Sequence, residues 1–516
     1  MARRRMILVN PRICDRENIR LPLSVLALGA VLEDRYDYEI VDENVEPDGA
    51  GAVLRALAAG PCALVGLTVM PGPQVGPAIR ISSAVRAAHP DVPIAWGGYF
   101  PTLYANAAIN APYVDYVIRG QGEETLLDLL ERLPDAGPPG PSASARDGAL
   151  LRAVPGLTWK DDGRIVHNPE RPFRSPDEFP LFPYHRLGDV RQYLRPTFLG
   201  SRTGVHQAAI GCRYRCTFCG VVSMFNGHTQ LGAASRLQTA LTTLRDRYGA
   251  TAIQFFDHNF FDGEETSVPI LEELARAEMP WWCYARADTL AKFSTGTWEL
   301  IRRSRLRMAY IGAEAASDEV LKRMKKGTRV EHTLEVAARC REYGVIPEFS
   351  FVLGGPQDPA GEIDRTFVFI RQLKRLHPEC EVILYFYSPT PQRDPASVRR
   401  ARPDEARLPV LSTYGPSGPA LPTTPEEWTE PRWVDYVCHQ DAPWLSPELR
   451  RSVSDFATVL ACRFPTVQDV TTPRWGRGIL RELARWRYGA GRYRNPWELR
   501  LARRLIPLRR PERDSL

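Results

Sequence analysis

The chain has 516 residues, 44% of them apolar and 25% charged, which is enough to bury about three cores and excludes global disorder. Its ten cysteines are too few for a disulfide scaffold, and no apolar run reaches the roughly 18 residues of a membrane-spanning helix. The net charge of +6 is concentrated in the tail, where residues 471–516 carry 13 arginines against four acids and leave the body near neutral.

The basic start, MARRRMILVNP, has an apolar stretch at 6–9 that stops at Asn10-Pro11. That is too short for a signal peptide and suits a first buried strand, so a cytoplasmic enzyme is expected. Further short apolar strands are predicted at 38–41, 63–69, 94–96 and 113–118, with helical spacing at 23–32, 79–88 and 124–133. This alternation predicts an α/β fold with a doubly wound, Rossmann-like parallel sheet over 1–133. Ligands of such sheets sit beyond the carboxyl ends of the strands, where Gly72, Gly97, Gly98, Gly120 and Gly122 fall.

Residues 134–149 are rich in Pro, Gly, Ala and Ser and read as a linker. LTWKDDGRIVHNP then predicts a small hairpin about an Asp-Gly turn, and Pro-rich residues up to 195 an extended connector. Over 196–395 six strands alternate with helices, at 205–210, 252–256, 281–285, 308–312, 348–353 and 382–387. Six units suit a partial (β/α) barrel rather than a full eight-unit one. The rest, 396–516, is Pro-rich at first and then a basic, mainly helical region.

The sharpest local feature is GCRYRCTFCG, with Cys212, Cys216 and Cys219 spaced C-x3-C-x2-C just after the first strand of the second region. Structural zinc usually takes a fourth protein ligand from a second pair, and none lies nearby. Three thiolates suit a 4Fe-4S cluster with one iron left open. Zinc and plain buried cysteines are the alternatives.

This motif, with Phe218 before its last cysteine, resembles the signature of the radical S-adenosylmethionine superfamily. The resemblance implies that S-adenosylmethionine binds the open iron and is cleaved to a 5′-deoxyadenosyl radical, with an electron donor such as flavodoxin or ferredoxin. It covers about 200–395 and implies roles along the strands. Asp257 in FFDHNFF matches an Asp-rich second-strand motif, and Arg286 in WCYARAD would meet the methionyl carboxylate. In YIGAEAASDEVLKRMKKG, Glu314 would contact the ribose or amine, and Ser317 would cap the next helix and approach the same ligand. Val352, Leu353 and Gly354 of SFVLGGPQD would line the adenine. Paired barrel charges are the bland alternative for Arg286 and Glu314.

WGGYFPT and VDYVIRGQGEETLLDLL resemble blocks of the cobalamin domains that precede such barrels. Thr68, Gly97, Gly98, Gly120, Gly122 and Glu123 would then border cobalamin, although plain turns explain the glycines equally. A D-x-H-x-x-G cobalt-ligand motif is absent, since the first histidine is His89. Together the parts resemble a cobalamin-dependent radical enzyme that methylates an unactivated carbon of a small-molecule, natural-product or lipid-like substrate through methylcobalamin. Cyclization or rearrangement is the alternative, and a non-catalytic cobalamin or metal sensor is the reading from another class. No acid/base triad is found, and no catalytic side chain is assigned.

In the tail, GILRELARWRY interleaves Ile479, Leu480, Leu483 and Trp486 with arginines. Two readings stay open: a helical cap with a solvated basic face, or a peripheral membrane contact. No nucleic-acid motif accompanies the charge.

Overall fold

The computed structural model describes residues 4–133, 145–388, 421–439, 442, 444–469, 472–506 and 508. Of the expected linker, 134–144 lies outside the described residues, as does the Pro-rich stretch 389–420. Residues 145–149 are not linker, because they open a helix at Ala145–Arg152.

The first sheet has β1 Arg5–Asn10, β2 Asp37–Asp42, β3 Leu64–Thr68, β4 Ile94–Gly97 and β5 Tyr116–Ile118, all parallel. β6 Leu157–Asp161 and β7 Arg164–His167 extend it antiparallel, in the order β2-β1-β3-β4-β5-β6-β7. The hairpin therefore belongs to this sheet rather than standing apart as a connector. Its turn residues Asp162 and Gly163 have φ of 47° and 77°, as a tight primed turn requires. The strand order reverses between β1 and β3, which opens a crevice at the carboxyl ends of β1, β3 and β4.

The second sheet is a six-stranded, all-parallel partial barrel. Its strands are β8 Thr203–His206, β11 Ala252–Phe255, β12 Trp281–Ala285, β13 Leu306–Glu314, β14 Ile346–Leu353 and β15 Glu381–Phe386, in sequential order. The strand expected over 205–210 is split. It ends at His206, and Ala209–Gly211 (β9) pairs antiparallel with Thr229–Leu231 (β10). The break has a physical cause: the fully buried carboxylate of Asp257 takes the N–H groups of Ala208 and Ala209.

The C-terminal region returns to both sheets. Trp428 packs 4.1 Å from Tyr104 and 5.8 Å from Phe100, ring to ring, on the first domain. The helix Pro447–Arg463 stacks Phe456 on Phe367 of the barrel at 3.8 Å. Helices Arg474–Gly489 and Trp497–Leu505 bury Leu480, Ala484 and Leu499 against Val459 and Cys462. No helix among the described residues is long and apolar enough to cross a membrane.

Candidate active site

The cysteine loop leaves β9 at Gly211 and ends where Cys219 starts the helix Gly220–Phe225. Thr217 N–H donates to the Met324 carbonyl at 3.0 Å, which pins the loop to the end of the helix Asp318–Arg323. All three cysteines are free thiols. Two buried cations flank them. Arg286 Nη1 donates to Cys216 Sγ at 3.6 Å, and its guanidinium lies 3.5 Å from the Tyr214 ring centroid. Lys326 lies 5.8 Å from the Phe218 ring centroid and interacts electrostatically with Cys216. Burial pushes the Cys219 thiol up to about 12, so its ionisation waits on a metal that replaces the proton. Three thiolates on one short loop, with positive charge beside them, fit a 4Fe-4S cluster that keeps one iron open. Among the described residues, no three His, Cys, Asp or Glu side chains gather closely enough for a single ion. A lone zinc would need sulfurs about 2.3 Å from one centre, whereas a four-iron cluster spreads its thiolates more widely.

Beside this loop Glu314 closes β13 with φ of 61°, an uncommon conformation for a non-glycine residue and one concentrated at functional sites. Lys326 Nζ lies 2.7 Å from its Oε1, and the Ser350 hydroxyl donates to Oε2 at 3.3 Å. Gly312 makes room for that carboxylate, since a Cβ there would fall 2.0 Å from Oε1. The pair is buried.

Arg286 is arranged differently from the expectation. Its Nε and Nη2 meet the Asp288 carboxylate at 3.0 and 3.2 Å, and Nη2 also donates to the Lys326 carbonyl. Burial works against its charge, but Asp288, Cys216 and Tyr214 hold its pKa above the ordinary value. The carboxylate it meets in this structure is Asp288's. Ser317 stands at the N-cap of its helix yet makes no side-chain cap bond, so the expected cap is corrected and the hydroxyl is not spent on the helix. Strand alternation separates the adenine candidates. Val352, like Phe218 and Val330, packs against the cluster of Ala315, Val320, Leu321 and Met324, whereas the Leu353 side chain lies in the barrel core. Gly354 gives its carbonyl to Trp444 Nε1 at 2.6 Å and would strike Leu445 with any Cβ.

Asp257 is fully buried, and its carboxylate accepts the two backbone N–H groups of Ala208 and Ala209 before the cysteine loop. Burial pushes it up to about 7 against those bonds. Its folded pKa lies above the unfolded one, so its contribution to stability is full below about pH 4 and is lost as pH rises to about 7. Asp257→Asn keeps an acceptor but cannot ionise. Thermal melts from about pH 5 to about pH 8 should show a smaller decline in Tm for this variant than for the wild type, with iron content after reconstitution unchanged. An equal decline in both proteins would contradict the assignment.

A cavity of about 1240 Å³ lies between the two sheets. Thr68, Gly97, Gly98, Gly120, Gly122 and Glu123 all line one wall, at the carboxyl ends of β3, β4 and β5. Gly98 has φ of 96°, and a Cβ there would come within 3.0 Å of Thr68 Oγ1 and 3.1 Å of Val69 N, so the wall admits only glycine. Burial pushes Glu123 up to about 7. The opposite wall starts immediately after Cys219, with Gly220, Val221, Met224 and Phe225. The cavity exceeds the roughly 300–1,000 Å³ of ordinary ligand pockets, the size a large cofactor needs. It continues into the barrel past Phe256, Trp282, Tyr284, Tyr310 and Tyr385.

Sequence reasoning missed Lys326, Asp288 and Tyr214. Lys326 reads as one of several basic residues closing a helix, and nothing local reveals its pairing across 12 residues to Glu314. Tyr214 and Asp288 lie inside quoted motifs; Asp288 is two residues along the chain from Arg286, whereas only the fold brings Tyr214 against it.

Residues 15–130 match the family model described as B12 binding domain, and 208–370 the one described as Radical SAM superfamily. An uncharacterized methyltransferase of Pyrococcus horikoshii is 22% identical over 356 residues, 68% of this chain and 73% of its own. An anaerobic magnesium-protoporphyrin IX monomethyl ester cyclase of Rubrivivax gelatinosus is 22% identical over 313 residues. That alignment covers 60% of this chain and only 54% of the cyclase. The solved radical S-adenosylmethionine methyltransferase TsrM of Kitasatospora setae superposes with a TM-score of 0.58 at 18% identity, covering 75% of this chain and 73% of that one.

Proposed function

Because this chain belongs to the cobalamin-dependent radical S-adenosylmethionine enzymes, with a B12-binding domain ahead of a radical domain, we propose that it methylates an unactivated carbon of a small-molecule substrate. The observation that carries the reading is one shared cavity whose walls are the glycine ends of β3–β5 and the helix that starts after Cys219. When bound, the cluster and S-adenosylmethionine supply hydrogen abstraction, and cobalamin supplies the methyl group. The chain's own residues prepare that space. Arg286 and Lys326 offset the thiolate charge, Glu314 offers a carboxylate to the ligand's amine or ribose, and the aromatic barrel lining excludes water from a reactive carbon. Reducing equivalents come from a flavodoxin- or ferredoxin-like donor.

The assay is product stoichiometry under reducing conditions. One S-adenosylmethionine serves abstraction and another the methyl group, so 5′-deoxyadenosine and S-adenosylhomocysteine should form in about equal amounts. Deoxyadenosine without S-adenosylhomocysteine would favour cyclization or rearrangement, the chemistry in the name of the Rubrivivax relative.

The tail adds a peripheral contact with anionic lipid. Its inner face is packed, but its outer face is apolar rather than simply basic. Trp475, Trp486 and Trp497 are 67%, 61% and 63% exposed, and Ile479, Leu483, Leu501 and Leu505 are exposed alongside them. Arg481 and Arg485 are exposed on the same helix. Tryptophans with flanking arginines suit a headgroup interface, and each basic residue near an anionic surface contributes about 1 kcal/mol. The full chain should sediment with phosphatidylglycerol vesicles and not with neutral ones, with binding that falls steeply as salt rises. Replacing Trp475, Trp486 and Trp497 together by Ser should release it. Binding that survives the triple substitution would contradict this contact.

A further inference from the structure

The cavity is lined by Arg20, Arg195 and Arg236; Arg236 is spent on the Phe179 and Pro180 carbonyls at 2.7 and 2.8 Å, which leaves two that neither the cluster loop nor the glycine wall uses. Arg20 follows β1 in the first domain, and Arg195 precedes β8 of the barrel. Arg20 Nε donates to Gln254 Oε1 at 3.3 Å and one Nη to the Ile19 carbonyl at 2.9 Å. Arg195 Nε is buried with no hydrogen-bond partner among the described residues. Arg195 bridges to Thr203 at the head of β8, and Thr203 pairs with Ala252, two residues before the Gln254 that holds Arg20, so the strand register brings both arginines to one wall, and neither has an acid as a hydrogen-bond partner among the described residues. Glu17 and Asp469 also line the cavity, with Asp469 accepting from Thr472 N at 2.9 Å.

Two like charges held together at a cavity wall are costly unless an anion sits between them. A guanidinium's planar fork suits a carboxylate or phosphate oxygen pair. Next to them the wall turns apolar. Gln254, which holds Arg20, and Phe256 lie two residues apart and both face the cavity from β11 and its end. Phe256 meets Trp282 ring to ring at 6.4 Å, Trp282 meets Tyr284 at 4.6 Å, and Tyr284 meets Tyr310 at 5.0 Å.

We infer that the substrate is an amphipathic anion, with its carboxylate or phosphate held between Arg20 and Arg195 and its apolar body against the aromatic wall of Phe256, Trp282, Tyr284 and Tyr310. This rests on the proposed function for the identity of the cavity and adds the substrate class. An anion anchored at one end and a flat apolar surface at the other fix which carbon faces the cluster side.

The test uses reconstituted, cobalamin-loaded full-length protein and two probes of matched shape, 1-naphthaleneacetate and its neutral amide, titrated by calorimetry. The acid should bind roughly tenfold or more tightly than the amide. That advantage should collapse in Arg195→Gln and in Arg20→Gln, while the amide binds both variants as it binds the wild type. Equal binding of acid and amide to wild-type protein, no binding of either, or an acid preference that survives both substitutions overturns the inference. Loss of cobalamin by Arg195→Gln, with the acid preference intact, would reassign the arginines to the corrinoid's phosphate and overturn it too. Wild-type protein that retains no cobalamin would instead refute the proposed function, and the two probes can still be compared on it. Octyl phosphate against octanol, titrated in parallel, separates a phosphate preference from a carboxylate one.

Discussion

Cys216→Ala protein, reconstituted anaerobically, should produce no 5′-deoxyadenosine from S-adenosylmethionine and hold far fewer than the about four irons per chain expected of the wild type. Cys216 is the middle ligand of the loop, and both of its neighbours in the motif depend on the same cluster to ionise: burial raises Cys212 as well as Cys219. The loop itself should survive the substitution. Its anchors are backbone bonds, Thr217 N–H to Met324 and Cys219 N–H to the Cys216 carbonyl at 3.2 Å, and neither needs the thiol. Alanine does leave Arg286 without its sulfur partner, but the guanidinium keeps Asp288. A folded, iron-poor and inactive protein is therefore expected. Iron and deoxyadenosine at wild-type levels would refute the cluster assignment.

Lys326→Met should destabilise the barrel strongly. It leaves Glu314, 5% exposed, without its countercharge. Breaking a buried pair costs about 3–5 kcal/mol, on the order of 10 °C in Tm for a domain of roughly 200 residues. The double variant Glu314→Gln/Lys326→Met removes both charges and should recover most of that loss. S-Adenosylmethionine affinity, measured by equilibrium dialysis, should stay low in the double variant if Glu314 holds the ligand. A Lys326→Met melt within about 2 °C of wild type would show that the pair is not held as described.

The six barrel strands were legible because parallel strands buried on both faces read as near-continuous apolar runs. The helix Gly49–Ala58 was not, since its sequence GAGAVLRALA has two glycines in its first three residues, and its buried face is marked only by Gly49, Val53, Ala56 and Leu57. Its start is fixed by the Asp48 side chain, which accepts from Gly51 N–H at 2.9 Å. Likewise, 205–210 reads as one strand, and only the distant Asp257 breaks it. Of the site, the cysteines and the glycine wall follow from local motifs, and the cavity brings all six expected residues of that wall together. The pairing of Glu314 with Lys326 and the contacts of Arg286 with Tyr214 and Cys216 are tertiary, and no spacing along the chain encodes them; the Arg286–Asp288 pair, two residues apart, is local. The tail shows the same limit: its alternation fits either a cap or a docking face, and the packing of Leu480 and Leu499 makes it a cap whose outer side is apolar.

The most direct measurement of the central claim follows the methyl group. Reduced, cobalamin-loaded enzyme is given an amphipathic anionic substrate and S-adenosylmethionine labelled in its methyl carbon. Mass spectrometry of the product should show one labelled methyl on a carbon that bore only hydrogen and carbon before, with none when cobalamin is omitted. Product that lacks the label, or labelled product formed equally without cobalamin, would contradict the account.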